Sequence, residues 1–214
     1  MSKLIIHGRA TSSNVQTAVW AVAELDLDFE RLDVGGAFGG TNTEAYRAMN
    51  PMGLVPVLQD GAVTLFESCA IVRYLGARYG EEAFWPTDPA ARAALDQWAE
   101  WGKGTFARSV IYDVFWILVR TPSAERNADV LAANVAAVGK LAIMLDRRIG
   151  DGPYLNGDDL SFADIIVGHA LYRYYTLNID RADTPNLDAY YQRLTERPAY
   201  ASHVMIDYSC LQVD

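Results

Sequence analysis

Three stretches of the chain carry residue types and spacings that could do chemistry. The pair Glu67-Ser68 stands where an alternating apolar run gives way to a helical pattern through Ile71, Val72, Leu75 and Tyr79. A helix start exposes unpaired N–H groups and positive potential, which suit a carboxylate, and Ser68 is a natural N-cap. Glu67 beside it suits an ammonium group. Together they match the two charged ends of an α-amino acid, although the same pair also describes a plain capped helix with a solvated glutamate. The second stretch is Thr11-Ser12-Ser13-Asn14, with three hydroxyls and an amide placed just before a helical pattern. Each can cap that helix or donate to a ligand. In the third, Asn50-Pro51-Met52-Gly53-Leu54-Val55-Pro56-Val57-Leu58, Pro56 cannot donate to a ladder. It belongs at a sheet edge or in a special conformation.

The elements that must position these residues follow from periodicity. The spacing predicts strands over 3–7, 29–34, 55–58 and 63–66, with Asp60-Gly61 as the hairpin turn between the last two. Helices are predicted over 14–25, around 44–49, and from Ile71 to a stop at Gly80 as a C′ residue. The Gly-rich loop 35–40 is expected to shape a ligand site; it lacks the Lys-Ser/Thr that phosphate cradling needs. The order βαβ then ββα suits a small four-stranded sheet with helices on its faces. After a linker over 81–88, Asp88 and Pro89 suit the cap and first position of a helix. The remaining pattern predicts helices over 89–119, 123–148, 162–177 and 186–196, and no strand. Ser161 and Asp164 have the spacing of an N-cap and its reciprocal partner. Trp98, Trp101, Phe106, Tyr112, Phe115 and Trp116 crowd one helix; most belong to core, and a few are expected to line an apolar pocket.

Composition narrows the function classes. The hydrophobic set is 51% and the charged set 21%, which predicts a packed core. A net charge of −9 disfavours nucleic acid and anionic lipid as partners. Two cysteines, Cys69 and Cys210, allow no disulfide framework and suit a reducing, cytoplasmic setting. The first residues lack the apolar run of a signal peptide, and no stretch is expected to reach a membrane span. His7, His169 and His203 are too scattered to predict a metal site.

The stretches then combine. Pro51-x-Gly53-x-Val55-Pro56-Val57-Leu58 followed by Glu67-Ser68-x-Ala70-Ile71-x-x-Tyr74-Leu75 resembles the glutathione-site signature of the cytosolic glutathione transferases. Gly152-Pro153-Tyr154-Leu155-x-Gly157-Asp158-x-x-Ser161-x-Ala163-Asp164-Ile165 resembles that family's buried capping segment. The resemblance implies an α/β thioredoxin-like N-terminal domain (residues 1–80), an all-α C-terminal domain (89–214) that adds an electrophile pocket, and Pro56 in the cis form. It implies that the Val55 backbone pairs with the cysteinyl part of glutathione, and that Glu67 and Ser68 hold its γ-glutamyl end. In the Ser-type, theta- and phi-like members, the residue matching Ser12 donates to the glutathione sulfur. Asn14, then Thr11 and Ser13, are the alternatives here.

Glutathione is thus the implied co-substrate, with a small electrophile as second substrate, no metal, and a homodimer as the assembly. Leu54 departs from the pattern, since many relatives have Lys, Arg or Gln there. Arg9, Asn42, Asn50 or the Gly-rich loop is expected to compensate. Two other functions fit the same resemblance: glutathione-dependent disulfide or peroxide reduction, and glutathione binding without catalysis. The reductases often place a cysteine in the first loop, and this chain has none there.

Overall fold

In the computed structural model, residues 3–213 are described; Met1, Ser2 and Asp214 of the two expected domains lie outside them. Strands β1 (Leu4–His7), β2 (Phe29–Leu32), β3 (Val57–Asp60) and β4 (Val63–Phe66) form one sheet in the order β2-β1-β3-β4. β1 pairs parallel with β2 and antiparallel with β3, with Ile6 opposite Leu58, and β3 pairs antiparallel with β4. Helices α1 (Ser13–Glu24), α2 (Glu44–Met49) and α3 (Ser68–Tyr79) complete this thioredoxin-like unit. β3 starts two residues later than predicted. The Val55–Pro56 bond is cis, and with no N–H at Pro56 the ladder begins only at Val57.

The rest is helical: α4 (Pro89–Trp101), α5 (Trp116–Arg120), α6 (Ala128–Ile149), α7 (Phe162–Gly168), α8 (Leu171–Thr176), α9 (Pro185–Thr195) and α10 (Pro198–His203). Asp88 caps α4 by accepting from the Ala91 N–H at 2.8 Å. Between α4 and α5 the rod continues through π-helical turns at Gly102–Ala107 and Ser109–Phe115. Such turns often mark functional sites. Gly102 lets this rod approach α7, since a Cβ there would stand 2.5 Å from Val167.

Several predicted bounds shift for identifiable reasons. α6 starts after a short 3₁₀ turn, where the Asn127 side chain accepts from the Val130 N–H at 3.0 Å. The predicted helix over 162–177 is two helices. His169 turns its Nδ1 onto the Ile166 carbonyl at 2.7 Å, where the first one ends. Gly80 closes α3 with φ −77°, so it is not the left-handed C′ residue expected; a Cβ there would lie 2.6 Å from the Gly76 carbonyl. The expectation that no stretch reaches a membrane span is also corrected. α6 is long and apolar enough by length and composition, its most apolar 18-residue stretch having a mean hydropathy of 1.7. In the fold it packs on α9 and on the π-helical turns.

The segment before α7 behaves as the sequence predicted. Ser161 is the N-cap, and the fully buried Asp164 carboxylate accepts from the Ser161 N–H at 2.8 Å and the Ser161 hydroxyl at 2.7 Å. Its other oxygen accepts from the Leu155 N–H at 2.9 Å and the Tyr190 hydroxyl at 3.0 Å.

Candidate functional site

A cleft of about 320 Å³ opens between the sheet unit and the π-helical rod. Its wall takes Thr11, Ser12, Ser13 and Asn14 from the first loop, Gly35, Gly36 and Thr41 from the next, and Gly53, Leu54 and Val55 before the cis-proline. Ile111, Tyr112, Phe115 and Trp116 close the other side. The loop over 11–14 is brought there because β1 ends at His7 and α1 begins at Ser13.

The four loop side chains differ in what they have free. Ser12 occupies the N-cap position of α1, but its side chain makes no capping hydrogen bond. Its hydroxyl is therefore available to a ligand. Asn14 accepts through Oδ1 from Lys103 Nζ, which leaves its NH₂ as a donor. Ser13 lends its carbonyl to the Thr17 hydroxyl at 2.9 Å, and Thr11 lends its carbonyl to Arg173 at 2.9 Å.

The proline loop is clamped through Leu54. Its carbonyl accepts from the Tyr46 hydroxyl at 2.9 Å and the Asn50 amide at 2.8 Å. Leu54 is 61% exposed and lines the cleft. Among the described residues, Val55 has no backbone hydrogen bond, so its N–H and C=O remain available in the cleft wall. Pro56 is buried behind it. Asn50 is spent on the clamp and on the Met52 N–H, and so cannot replace the missing polar side chain. Asn42 departs from its expected place: it is exposed and outside the cleft wall, and its neighbour Thr41 lines it instead. The turn is fixed by Thr43, which caps α2 through the Tyr46 N–H. Arg9 does line the cleft.

Glu67 and Ser68 sit at the start of α3. Glu67, not Ser68, is the N-cap, and it holds φ 71°, a region uncommon for a residue with a side chain. Such outliers cluster at ligand sites. Ser68 is the first helical residue and is buried, while Glu67 is exposed. Neither lies in the cleft wall itself. Lys103 makes the connection: its ammonium donates to Asn14 and to the Ser68 hydroxyl at 3.2 Å. Burial pulls the Lys103 pKa down, against the opposing charge of Glu67. A half-buried cation thus ties the first loop to the start of α3 from the other domain.

Sequence reasoning missed Lys103. Its one signal was a lysine between Gly102 and Gly104 in a helix interior, where two glycines are costly. The aromatic cluster resolves as core and wall. Phe106 is buried core and Trp98 lies on a separate surface hollow, whereas Tyr112 and Trp116 stack at 5.8 Å beside Phe115 in the cleft.

Comparison with known proteins bears on this arrangement. Residues 6–83 match the glutathione S-transferase N-terminal domain, and residues 107–198 match the glutathione S-transferase C-terminal domain. The chain is 35% identical to glutathione S-transferase GstB of Escherichia coli, over 96% of this chain and 100% of that one. It is 31% identical to glutathione S-transferase 4 of Zea mays, over 91% and 88% of the two chains. Among solved structures it resembles the theta class glutathione S-transferase of Xanthomonas axonopodis pv. citri with glutathione bound. That likeness has a TM-score of 0.89 and 45% identity, over 97% of this chain and 99% of that one. By both domain matches and by these full-length likenesses, the chain belongs to the glutathione S-transferase family and is a transferase.

Proposed function

We propose that the cleft binds glutathione, lowers the pKa of its thiol and directs the thiolate at a small electrophile. The observation that carries this reading is one shared wall. The free Ser12 hydroxyl, the Asn14 amide and the unpaired Val55 backbone all line the same cleft. In this reading the Val55 N–H and C=O pair with the cysteinyl unit, and Ser12 donates to the sulfur. Ser68 and Glu67 take the γ-glutamyl carboxylate and ammonium. Residues 1–80 hold glutathione, and 89–214 supply the electrophile side through Tyr112 and Trp116.

The chemistry asked of the site is modest. A free thiol titrates near 8.5, so little is thiolate at neutral pH. A hydroxyl donor and the N-terminus of α1 both favour the anion. The reductase reading is not favoured, because burial pushes the Cys69 thiol up, away from the reactive form. Free Cys69 and Cys210 fit the proposed reducing, cytoplasmic setting.

Ser68→Ala and Glu67→Ala are each expected to weaken glutathione binding by about 1–3 kcal/mol, as for hydrogen bonds to charged groups. Titration calorimetry reads this directly, and unchanged affinity in both variants removes the γ-glutamyl assignment. The proposed assembly is a homodimer. Val130 and Met144 on α6 are exposed at 47% and 46%, on a helix whose apolar window is only 17% buried. Light scattering at micromolar concentration should give about twice the 23.6 kDa chain mass. A monomer mass counts against it.

A further inference from the structure

The far wall of the cleft carries positive charge that no described carboxylate pairs. Arg9 and Arg120 both line the main cleft and an adjoining hollow of about 690 Å³, and Arg173 lines the cleft. Among the described residues, none of the three has a carboxylate within ion-pair distance. Asp33, which lines the hollow, is bonded to Arg31 instead. Arg173 is only 3% exposed. It donates from Nη1 to Gln16 at 3.0 Å and from Nη2 to the Thr11 carbonyl at 2.9 Å, and its Nε–H is left buried without a partner. Arg120 lies 5.3 Å over the Trp116 ring, and Arg173 lies 5.0 Å over Phe115.

These guanidiniums are close enough to work against one another. Burial, then the charge of Arg120, depresses the Arg9 pKa. Burial holds Arg173 down to about 10, with Arg9 adding to the effect. Like charges in a partly dry wall destabilise the empty site, and an anion placed among them relieves that cost. A chain with net charge −9 has ample carboxylates to pair three arginines, yet the described carboxylate that lines the hollow, Asp33, is bonded to Arg31.

We propose that Arg9, Arg120 and Arg173 bind the anionic group of the second substrate, an electrophile with a carboxylate or similar oxyanion near its reacting carbon. This rests on the conjugation reading above and names its substrate class. Where that carbon carries a halogen as leaving group, the glutathione sulfur bonds to the carbon and the carbon–halogen bond breaks. The halide leaves with the bonding pair, and the thiol proton passes to water. Tyr112 and Trp116 flank the apolar part of the molecule, and the arginines hold its charged end. The glycyl carboxylate of glutathione is the other source of the same chemistry, so the test separates the two.

Iodoacetate and iodoacetamide share a reacting carbon and a leaving group and differ in charge. Free thiolate reacts more slowly with the anion because like charges repel. The protein should reverse that order in kcat/KM. Arg120→Met should lower the iodoacetate-to-iodoacetamide ratio by about 10-fold or more, and Arg120→Lys should keep part of it. Calorimetry with S-carboxymethylglutathione and S-carbamidomethylglutathione reads the same preference without turnover. The proposal is overturned if the ratio is unchanged in both Arg120→Met and Arg9→Met. It is also overturned if these variants weaken glutathione itself as much as S-carboxymethylglutathione, which assigns the cluster to the glycyl carboxylate. If the wild type turns over no electrophile, the conjugation reading fails. The calorimetric preference then decides the anion site alone, and its absence overturns the proposal.

Discussion

Replacing Asp164 by alanine is expected to cost about 3–5 kcal/mol of folding stability, a large share of the 5–15 kcal/mol typical of a whole protein. The carboxylate is fully buried and accepts from two backbone N–H groups and two hydroxyls. Alanine leaves all four donors in a dry interior, and an unmade buried hydrogen bond costs more than a made one contributes. The damage should reach the cleft, because Asp164 lies in α7, which packs on the π-helical turn that carries Lys103. Thermal unfolding should shift down by about 10 °C or more for a chain of this size. Asp164→Asn keeps the volume and one acceptor, and should fall between wild type and alanine. A midpoint for Asp164→Ala within a degree of wild type would show that the network is not what holds α7.

The second large effect is on rate. Ser12→Ala should lower turnover at neutral pH by roughly 10- to 100-fold, the equivalent of about 1.4–2.7 kcal/mol in the barrier. Glutathione affinity should change little, because the γ-glutamyl anchor lies at Glu67 and Ser68. The direction with pH follows from the chemistry. The hydroxyl stabilises the anion, so the bound thiol in the variant titrates higher than in wild type. The deficit is largest below the variant's thiol pKa and shrinks as pH rises through it. Asn14→Ala is the control, since its amide also faces the cleft. It further releases Lys103, whose remaining acceptor is Ser68. A loss in Asn14→Ala with none in Ser12→Ala moves the sulfur contact to the helix start.

The fold was legible where the signal was local. Alternation over Val63–Phe66, the Asp60-Gly61 turn, the Asp88-Pro89 start and the Ser161–Asp164 spacing each set an element through its own residues. Misjudged points depended on contacts that the residue pattern does not display. Nothing in Val55–Leu58 alone shows that pairing with β1 begins only after the cis-proline. His169 ends α7 through a carbonyl that periodicity does not see. The site divides the same way. Ser12 and Val55, which line the cleft, lie in contiguous motifs, whereas Lys103 and the Arg9, Arg120 and Arg173 group come together only once the two domains meet. Asn42 was misplaced because its neighbour Thr43, as the α2 cap, decides which residue of the turn faces the cleft.

A cleft that binds glutathione and makes its thiol more acidic leaves a direct spectroscopic trace. Thiolate absorbance in the ultraviolet, followed from pH 5 to pH 10 with saturating glutathione, reads it without any electrophile. The bound thiol should titrate at least about 1 unit below the free value near 8.5 in wild type, rising towards that value in Ser12→Ala. A bound thiol that titrates at the free value in wild type, with glutathione shown by calorimetry to be bound, would contradict the proposed thiol activation.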